Sequence, residues 1–277
     1  MATITAKQVN ELRKITGAGM MDCKKALVEA NGDIEEAIKI LRKKGQKVSE
    51  KRADREANEG SVFTTQTDTS AVLVAVGCET DFVARNDDFK NLGASIANLA
   101  LSSGAADLAA LTALKMEDGR SVSEHVTDAI GKIGEKIEIG SYALVTGDAV
   151  VTYVHPGARV GVAVAFTGVG DADIAVVGKD VAMQIAAMKP LGVDEGDVDP
   201  AVISREREIA RDRAIQDGKP ENILDRIADG TIKKFLKLNT LVNQEFVKDT
   251  SKTVGQYLKE ANPDLKVKTF SRLQIGQ

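Results

Sequence analysis

The run Ala71-Val72-Leu73-Val74-Ala75-Val76-Gly77 decides the fold of this 277-residue chain. Small and β-branched apolar residues bounded by turn residues are typical of a buried strand. Ser61 to Thr65 precedes this run, and Thr67-Asp68-Thr69-Ser70 lies between them, so we expect a hairpin. A helix follows after a loop, with these apolar residues on one face: Phe89, Leu92, Ile96 and Leu99.

This strand–strand–helix unit occurs a second time. Val150 to Val154 turns through His155-Pro156-Gly157 into Val160 to Phe166, and the helix after it carries Ile174, Val177, Val181, Ile185 and Met188. Between the copies we expect a helix around Val122 to Ile130 and a strand around Ile137 to Val145. Hairpins with a helix on one face predict an α+β fold with a core of two related antiparallel sheet/helix subdomains.

Three short helices are predicted before this core, in residues 1–45. The first begins at a capping box of Thr5 and Gln8, and its face carries Val9, Leu12 and Ile15. The second presents Cys23, Ala26, Leu27 and Ala30 on one stripe. A capping box of Asp33 and Glu36 begins the third, whose apolar face is Ile34, Ala37, Ile38 and Leu41. Charge-dense residues 46–60 then favour a solvated helical connector over a weak nucleic-acid contact.

A helical hairpin interrupts the second half of the core. Val202 to Gln216 and Ile223 to Leu238 are charged and amphipathic, and Asp217-Gly218-Lys219-Pro220 joins them. Phe246 to Lys259 and Val267 to Ile275 then resume the sheet-and-helix pattern. We therefore expect core subdomains at 61–148 and at 149–190 with 240–277, and an inserted hairpin at 191–239.

The composition excludes several classes of protein. With 37 basic and 41 acidic residues, the chain lacks the positive charge typical of nucleic-acid binders. Cys23 and Cys78 are in no metal-ligand or disulfide framework, which favours a reducing compartment. No apolar run approaches the roughly 20 residues of a membrane helix, and the N-terminus does not read as a signal peptide. We expect a soluble cytoplasmic protein with no nucleic-acid or membrane partner.

No motif for catalysis, metal binding or a cofactor is evident. His125 and His155 are in no HExxH arrangement, and Gly157-Ala158-Arg159-Val160-Gly161 is not a dinucleotide-binding motif. Pairing Cys23 with a distant histidine would make a nucleophile, but a cysteine on an apolar helical stripe is usually a core residue. His155 suits surface recognition or a turn better than general-base chemistry.

Two sites place apolar side chains where a core does not require them. Met20 lies on the stripe of the second helix and Met21 lies off it, so one methionine is expected to face outward, where its flexibility suits protein contacts; the alternative is that both pack on the neighbouring domain. Residues Thr80-Asp81-Phe82-Val83, which we call the tip, follow the buried strand and precede a helix capped by Asn86. By residue type alone, Phe82 is more often a plug beneath a loop than an exposed wedge for a partner's pocket.

Both sites lie in stretches that resemble a known family. Leu12-Arg13 with Thr16-Gly17-Ala18-Gly19-Met20-Met21-Asp22-Cys23-Lys24-Lys25-Ala26-Leu27 resembles the N-terminal signature of bacterial elongation factor Ts. The second signature is similar to Cys78-Glu79-Thr80-Asp81-Phe82-Val83-Ala84-Arg85. The similarity continues in order along the chain through Lys132-Ile133-Gly134-Glu135, His155 to Val162, Ala182 to Ala187 and Ser251 to Val254.

The resemblance implies a guanine nucleotide exchange factor of translation, not an enzyme, which releases GDP from elongation factor Tu. It implies an N-terminal module resembling ubiquitin-associated domains and a hairpin that forms homodimers in some members. Met20 and Met21 would contact the GTPase domain, and Asp81 and Phe82, held by Thr80 and Val83, would disturb its bound Mg²⁺. Ile133 and Gly134 would assist, and His155 would face another domain of the partner.

The sequence departs from the family's pattern at two positions. Gln184 stands where many members have a histidine, and Thr231 replaces a commonly basic residue after Gly230. Two rival functions differ in class from exchange. An adaptor or chaperone would tether elongation factor Tu equally with and without GDP, and a cysteine-dependent enzyme would lose activity on Cys23→Ser.

Overall fold

The computed structural model describes residues 4–277, and three helices come first: α1 (Ala6–Thr16), α2 (Met20–Glu29) and α3 (Ile34–Lys51). Their shared core contains the fully buried side chains of Leu12, Cys23, Leu27 and Ala37, as the apolar stripes predict. Cys23 is therefore the core residue that its place on the stripe indicates. Helix α3 continues past residue 45, where we expected the module to end.

The two predicted capping boxes differ. At α1, Thr5 and Gln8 form both reciprocal hydrogen bonds, so this prediction is confirmed. At α3, the Asp33 carboxylate accepts from the Glu36 N–H at 2.9 Å, but the Glu36 side chain binds the Lys39 ammonium at 3.0 Å instead of returning to Asp33. The second capping box is therefore wrong in its reciprocal half, because an i, i+3 ion pair competes for the carboxylate.

The first sheet has the order β1-β2-β3 and is antiparallel throughout. It comprises β1 (Glu59–Gln66), β2 (Ser70–Cys78) and β3 (Ile137–Thr146). Between β2 and β3 the chain forms four helices, which are α4 (Asp81–Ala84), α5 (Asp87–Ser103), α6 (Leu108–Ala113) and α7 (Val122–Ile133). Helix α6 was not predicted, and α4 lies where a loop was expected; the other elements begin and end within a few residues of the predicted positions.

The second sheet repeats this arrangement with the order β4-β5-β8. Its strands are β4 (Ala149–Val154), β5 (Val160–Thr167) and β8 (Lys266–Gln274), and α8 (Ile174–Met188) packs on it. Val177, Val181 and Ile185 are buried on α8 as predicted. Met188, expected on the same face, is instead exposed, because it lies in the last turn beyond the sheet.

The sheets are equivalent in detail, which supports the internal repeat. Phe63 pairs with Val74 in the first sheet, and Val151 pairs with Val164 in the second. One residue after each of those central valines, the ladder to the third strand shifts register. In each copy a helical glycine accommodates the first strand's side chain: a Cβ on Gly93 would lie 2.2 Å from the Phe63 ring, and one on Gly178 would lie 2.4 Å from Val151 Cγ2.

The two sheets pack against each other, and their central strands supply mainly alanines to the contact. On β2, Ala71, Leu73 and Ala75 face the other sheet, and on β5 so do Ala163 and Ala165. The alternate residues of both strands face the helices, and these are Val72, Val74, Val76, Val162, Val164 and Phe166. The central strands are therefore buried on both faces, in a layered order of helix, sheet, sheet and helix.

The inserted segment forms the predicted antiparallel hairpin of α9 (Pro200–Gln216) and α10 (Glu221–Asn239). Arg211 pairs with Glu221 at 3.1 Å, and Arg207 pairs with Asp229 across the two helices. After the hairpin come a short ladder of β6 (Glu245–Phe246) with β7 (Asp249–Thr253), and α11 (Val254–Ala261). Dimerisation through the hairpin stays a prediction, as does likeness of α1–α3 to a ubiquitin-associated domain.

A close helix crossing joins α3 to the first core subdomain. Gly45 of α3 lies on Gly131 of α7, and a Cβ on Gly131 would be 2.7 Å from the Gly45 Cα atom. Two glycines at one crossing let the helix backbones approach more closely than larger residues allow. The position of the N-terminal helices relative to the core is therefore set by backbone contact.

Candidate protein-interaction site

Phe82 is the most exposed large apolar side chain in the described part of the molecule, with 80% of its surface accessible. It lies in α4, a single helical turn whose N-cap is Thr80; the Thr80 hydroxyl accepts from the Val83 N–H at 3.4 Å. Val83 points the other way and is buried in the core of the first subdomain. The interpretation of Phe82 as a plug beneath the loop is therefore wrong, and Val83 fills that role.

Charged groups surround Phe82. Asp81 pairs with Arg85 at 2.8 Å, and both side chains stay largely accessible to water. Asn86 caps α5 as predicted, and its side chain accepts from the Asp88 N–H at 2.8 Å. A phenyl ring that is 80% exposed beside a solvated ion pair is typical of an anchor residue in a protein interface.

Two carboxylates fix the start of the tip. The Thr80 N–H and hydroxyl donate to the two oxygens of Glu135 at 3.0 and 2.8 Å. The Glu79 carboxylate accepts from the Lys136 N–H at 2.6 Å and from the Arg52 guanidinium at 2.6 and 2.8 Å. We call Glu79 and Glu135, with these donors, the carboxylate clamp. Sequence reasoning missed it, because residues 27 to 57 positions apart give no local signal of pairing.

The clamp contributes to the pKa shifts of Glu79 and of the neighbouring Cys78. Burial, the largest influence on Glu79, raises its pKa, but the hydrogen bonds from Lys136 and Arg52 and the charge of Arg52 together lower the pKa below its ordinary value of 4.5. Burial, together with the charge of Glu135, raises the pKa of the neighbouring Cys78 thiol to about 12. Cys78 is thus a protonated core residue at neutral pH.

Met20 and Met21 begin α2 and are both exposed, with 56% and 62% of their surfaces accessible. The expectation that one methionine faces outward is confirmed by Met21, but Met20, placed on the stripe, is exposed as well, and the alternative that both pack on a neighbouring domain is wrong. The other stripe residues of α2 are buried as predicted, but Met20, the first residue of the helix, extends beyond the core. Ile15, expected on the apolar face of α1, is also 58% exposed, close to the same turn. Ile15 is therefore a third exposed apolar side chain at this site, although its helical spacing predicted that it would be buried.

Lys132 lies between the two apolar sites. Its ammonium pairs with Asp88 at 2.7 Å at the start of α5, and its aliphatic carbons lie against Gly17 after α1, where a Cβ would be 2.6 Å from Lys132 Cε. Gly17 has a φ of 65°, so a side chain there would also strain the backbone. One side chain thus connects the turn before Met20 with the helix that follows the tip.

The remaining predicted residues lie in two places. Ile133 ends α7 and packs partly against the first core, and Gly134 caps that helix with a φ of 84°. This left-handed turn directs the chain so that Glu135 reaches Thr80. His155 is exposed on the hairpin between β4 and β5, in the other subdomain, and its Nδ1 atom lies 2.9 Å from the Tyr153 hydroxyl.

The two departures from the family pattern, Gln184 and Thr231, lie in different environments. Gln184 is fully buried; it donates to Gln244 and the Glu245 carbonyl, both at 3.1 Å, and accepts from the Val247 N–H at 2.8 Å. An amide that both donates and accepts replaces an imidazole here without leaving a polar atom unpaired. Thr231 is exposed on α10, and its hydroxyl donates to the Ile227 carbonyl.

The other residues considered for catalysis or metal binding do not form a cluster. His125 lies 2.9 Å from Asp118, far along the chain from the buried Cys23. Across residues 4–277, no group of three or more His, Cys, Asp or Glu is arranged to hold a metal ion. In the same range, no helix combines the length and the apolar character needed to cross a bilayer.

These features define a class of α+β protein in which two equivalent antiparallel sheets support an exposed phenylalanine on a clamped turn. The sequence profile described as "Elongation factor TS" matches residues 79–277. The chain is 49% identical to elongation factor Ts of Cytophaga hutchinsonii over the whole of both proteins, and 48% identical to that of Amoebophilus asiaticus over 99% of each. Identity to elongation factor Ts of Porphyromonas gingivalis is 46%, over 99% of this chain and 98% of that protein. The chain belongs to the elongation factor Ts family, which confirms the resemblance read from its signatures.

Proposed function

We propose that this protein is a guanine nucleotide exchange factor that binds GDP-bound elongation factor Tu and accelerates the release of GDP. The observation that carries the proposal is the exposure of Phe82 on a turn that the rest of the chain holds in place. Burial of this exposed phenyl ring in a partner would contribute about 1.5–3 kcal/mol to binding if the burial is complete. The proposal implies a cytoplasmic location, where translation occurs.

The mechanism that we propose is displacement of the partner's Mg²⁺ environment by Asp81 and Phe82. Mg²⁺ requires near-octahedral geometry and tolerates little movement of its ligands. A ring inserted beside those ligands weakens GDP binding without touching the nucleotide. If Phe82 is buried only in the distorted state of the partner, its burial energy stabilises that state and lowers the barrier to release.

Further contacts would come from the other exposed sites. Met20 and Met21 supply adaptable apolar side chains at the start of α2, as protein contacts often require. Ile133 and Gly134 lie next to the clamp, and His155 lies on a separate hairpin of the second subdomain. We propose that the methionines and the tip meet the GTPase domain and that His155 meets a different domain.

Measuring GDP release from elongation factor Tu with wild type and Phe82→Ala tests this function. The variant should lose at least about tenfold of the catalysed rate, because the burial energy of the ring is worth one to two powers of ten. Val176→Ala is the matched control, since Val176 is 55% exposed on α8, away from the tip. A normal rate of GDP release with Phe82→Ala would rule out the proposal that Phe82 acts by inserting into the partner.

Varying Mg²⁺ in the same assay tests the mechanism. Chelation of Mg²⁺ removes the ion that the wedge is proposed to displace, so the advantage of adding the protein should shrink. An acceleration that is independent of Mg²⁺ would contradict displacement while leaving exchange itself in place. The rival adaptor predicts no acceleration at any Mg²⁺ concentration.

A further inference from the structure

Regular backbone pairing of β2 with β3 ends at Cys78 opposite Ile137. Beyond that pair, the two strands are joined by side chains instead. The Lys136 N–H donates to the Glu79 carboxylate, and the Thr80 N–H donates to the Glu135 carboxylate. Each strand thus supplies one carboxylate and one backbone donor, and the reciprocal pair extends the sheet by two residues to the base of the tip.

We propose that Glu135 is a positioning residue for nucleotide exchange, acting only through the orientation of Phe82. This inference rests on the proposed function. The Glu135 carboxylate is directed at the base of the tip, because the Thr80 N–H and hydroxyl donate to its two oxygens at 3.0 and 2.8 Å.

The hydroxyl of Thr80 transmits the effect. Because its hydrogen is directed to Glu135, its lone pairs are free to accept from the Val83 N–H, and through this hydrogen bond Thr80 acts as the N-cap of α4. Helix α4 has only four residues, too few to be stable without such support. Loss of the Glu135 acceptor therefore leaves Phe82 distributed over several directions, and only a fraction of molecules present it productively.

This role predicts a specific kinetic pattern. The methionines and His155 still bind the partner when the tip is disordered. The protein concentration that gives half-maximal exchange should therefore be the same for the variant as for the wild type. The maximal rate of GDP release should fall, by about tenfold for Glu135→Ala, as expected for loss of hydrogen bonds to a charged group. Glu135→Gln keeps an acceptor oxygen for Thr80 and should recover most of that loss.

The experiment measures release of a fluorescent GDP analogue from elongation factor Tu over a range of protein concentrations. The variants are Glu135→Ala, Glu135→Gln and the matched control Glu138→Gln, whose exposed carboxylate pairs with Lys136 at 3.0 Å on the same strand. Glu135→Ala is also combined with Phe82→Ala. If Glu135 acts only through Phe82, the double variant should be no slower than Phe82→Ala alone.

The possible outcomes separate the inference from the function on which it rests. A normal maximal rate for Glu135→Ala, or an equal further loss in the Phe82→Ala background, overturns the positioning role while exchange stands. The same holds if Glu138→Gln is as slow as Glu135→Ala. Failure of the wild type to accelerate GDP release overturns both. A lower maximal rate with rescue by Gln and no additivity supports the inference.

Discussion

Phe82 and Phe89 are seven positions apart and have opposite environments. Phe89 is fully buried and packs on Phe63, with ring centroids 5.9 Å apart. Phe89→Ala should therefore lower the free energy of unfolding by about 3–5 kcal/mol, whereas Phe82→Ala should change it by less than about 0.5 kcal/mol. Urea unfolding of both variants checks this. Strong destabilisation by Phe82→Ala would mean that the ring packs on the chain in solution.

The pH dependence of stability should reveal Glu79. Its folded-state pKa lies below the ordinary 4.5, so its stabilising contribution is fully present above that value and is lost as pH falls through the folded-state pKa. Wild type should therefore be more stable than Glu79→Gln at pH 7, and this difference should narrow below about pH 4.5. Denaturant unfolding at a series of pH values measures it. A difference that stays constant down to pH 3 would contradict the assignment.

Residue type alone does not decide whether a single apolar side chain is exposed. The sequence favoured a buried Phe82 and a buried Met20, and it placed Ile15 on an apolar face; all three are exposed. Helical periodicity gives the direction of a side chain but not where the neighbouring core ends. Only the family signatures, which carry information from outside the physics of the chain, favoured exposure of Phe82.

At the scale of elements, the crossing of α3 and α7 makes an asymmetric prediction. A Cβ on Gly131 would meet the Gly45 backbone at 2.7 Å, but a Cβ on Gly45 would come no closer than 3.4 Å, to the Thr127 carbonyl oxygen. Gly131→Ala should thus separate the helices and destabilise the protein by about 1–2 kcal/mol, after the gain in helix propensity. Gly45→Ala should be close to neutral, as its gain in propensity offsets the tight contact.

Thermal or urea unfolding of the two alanine variants tests this crossing, since each serves as the control for the other. Both replace one helical glycine by the same residue, so a general effect of composition would change them equally. Equal destabilisation would show that the helices do not approach as closely as described.

Most helices and strands could be predicted because their signals are local. The apolar runs of β2 and β5, the stripe of α5 and the hairpin link at Asp217 to Pro220 each specify one element. Helix α6 could not be predicted, because its six residues are nearly all apolar and span fewer than two turns, so no apolar stripe stands out. The second capping box failed for a related reason, since Lys39 offered Glu36 an equally local partner.

At the scale of the whole molecule, thermodynamic linkage makes a strict prediction about the exchange proposal. Binding free energies are reciprocal: if the protein weakens GDP binding to elongation factor Tu, GDP weakens binding of the protein by the same factor. We therefore expect a lower affinity for the GDP-bound than for the nucleotide-free partner, and a roughly thousandfold ratio would correspond to about 4 kcal/mol. Titration calorimetry with both forms measures this ratio. Equal affinities would favour the tethering adaptor.

The packing of the two sheets was beyond sequence reasoning. A run buried on both faces has no alternation that reveals which residues meet a helix and which meet another sheet. On the two central strands, the face toward the other sheet carries four alanines and Leu73, and the face toward the helices carries five valines and Phe166. Pairings such as that of Glu79 and Glu135 with distant donors follow from this global arrangement, so they too could not be predicted.

The His155 hairpin is fastened to both sheets at once. The Val62 N–H of β1 donates to the Ala158 carbonyl at 2.7 Å, and the Ile275 N–H donates to the Arg159 carbonyl at 2.9 Å. The tip is clamped to the first sheet, so the packing of the two sheets fixes the distance between Phe82 and His155. A partner that touches both must adopt the matching span itself, so this rigidity would let the protein select one arrangement of the partner's domains, and the second contact would form at high effective concentration once the first is made.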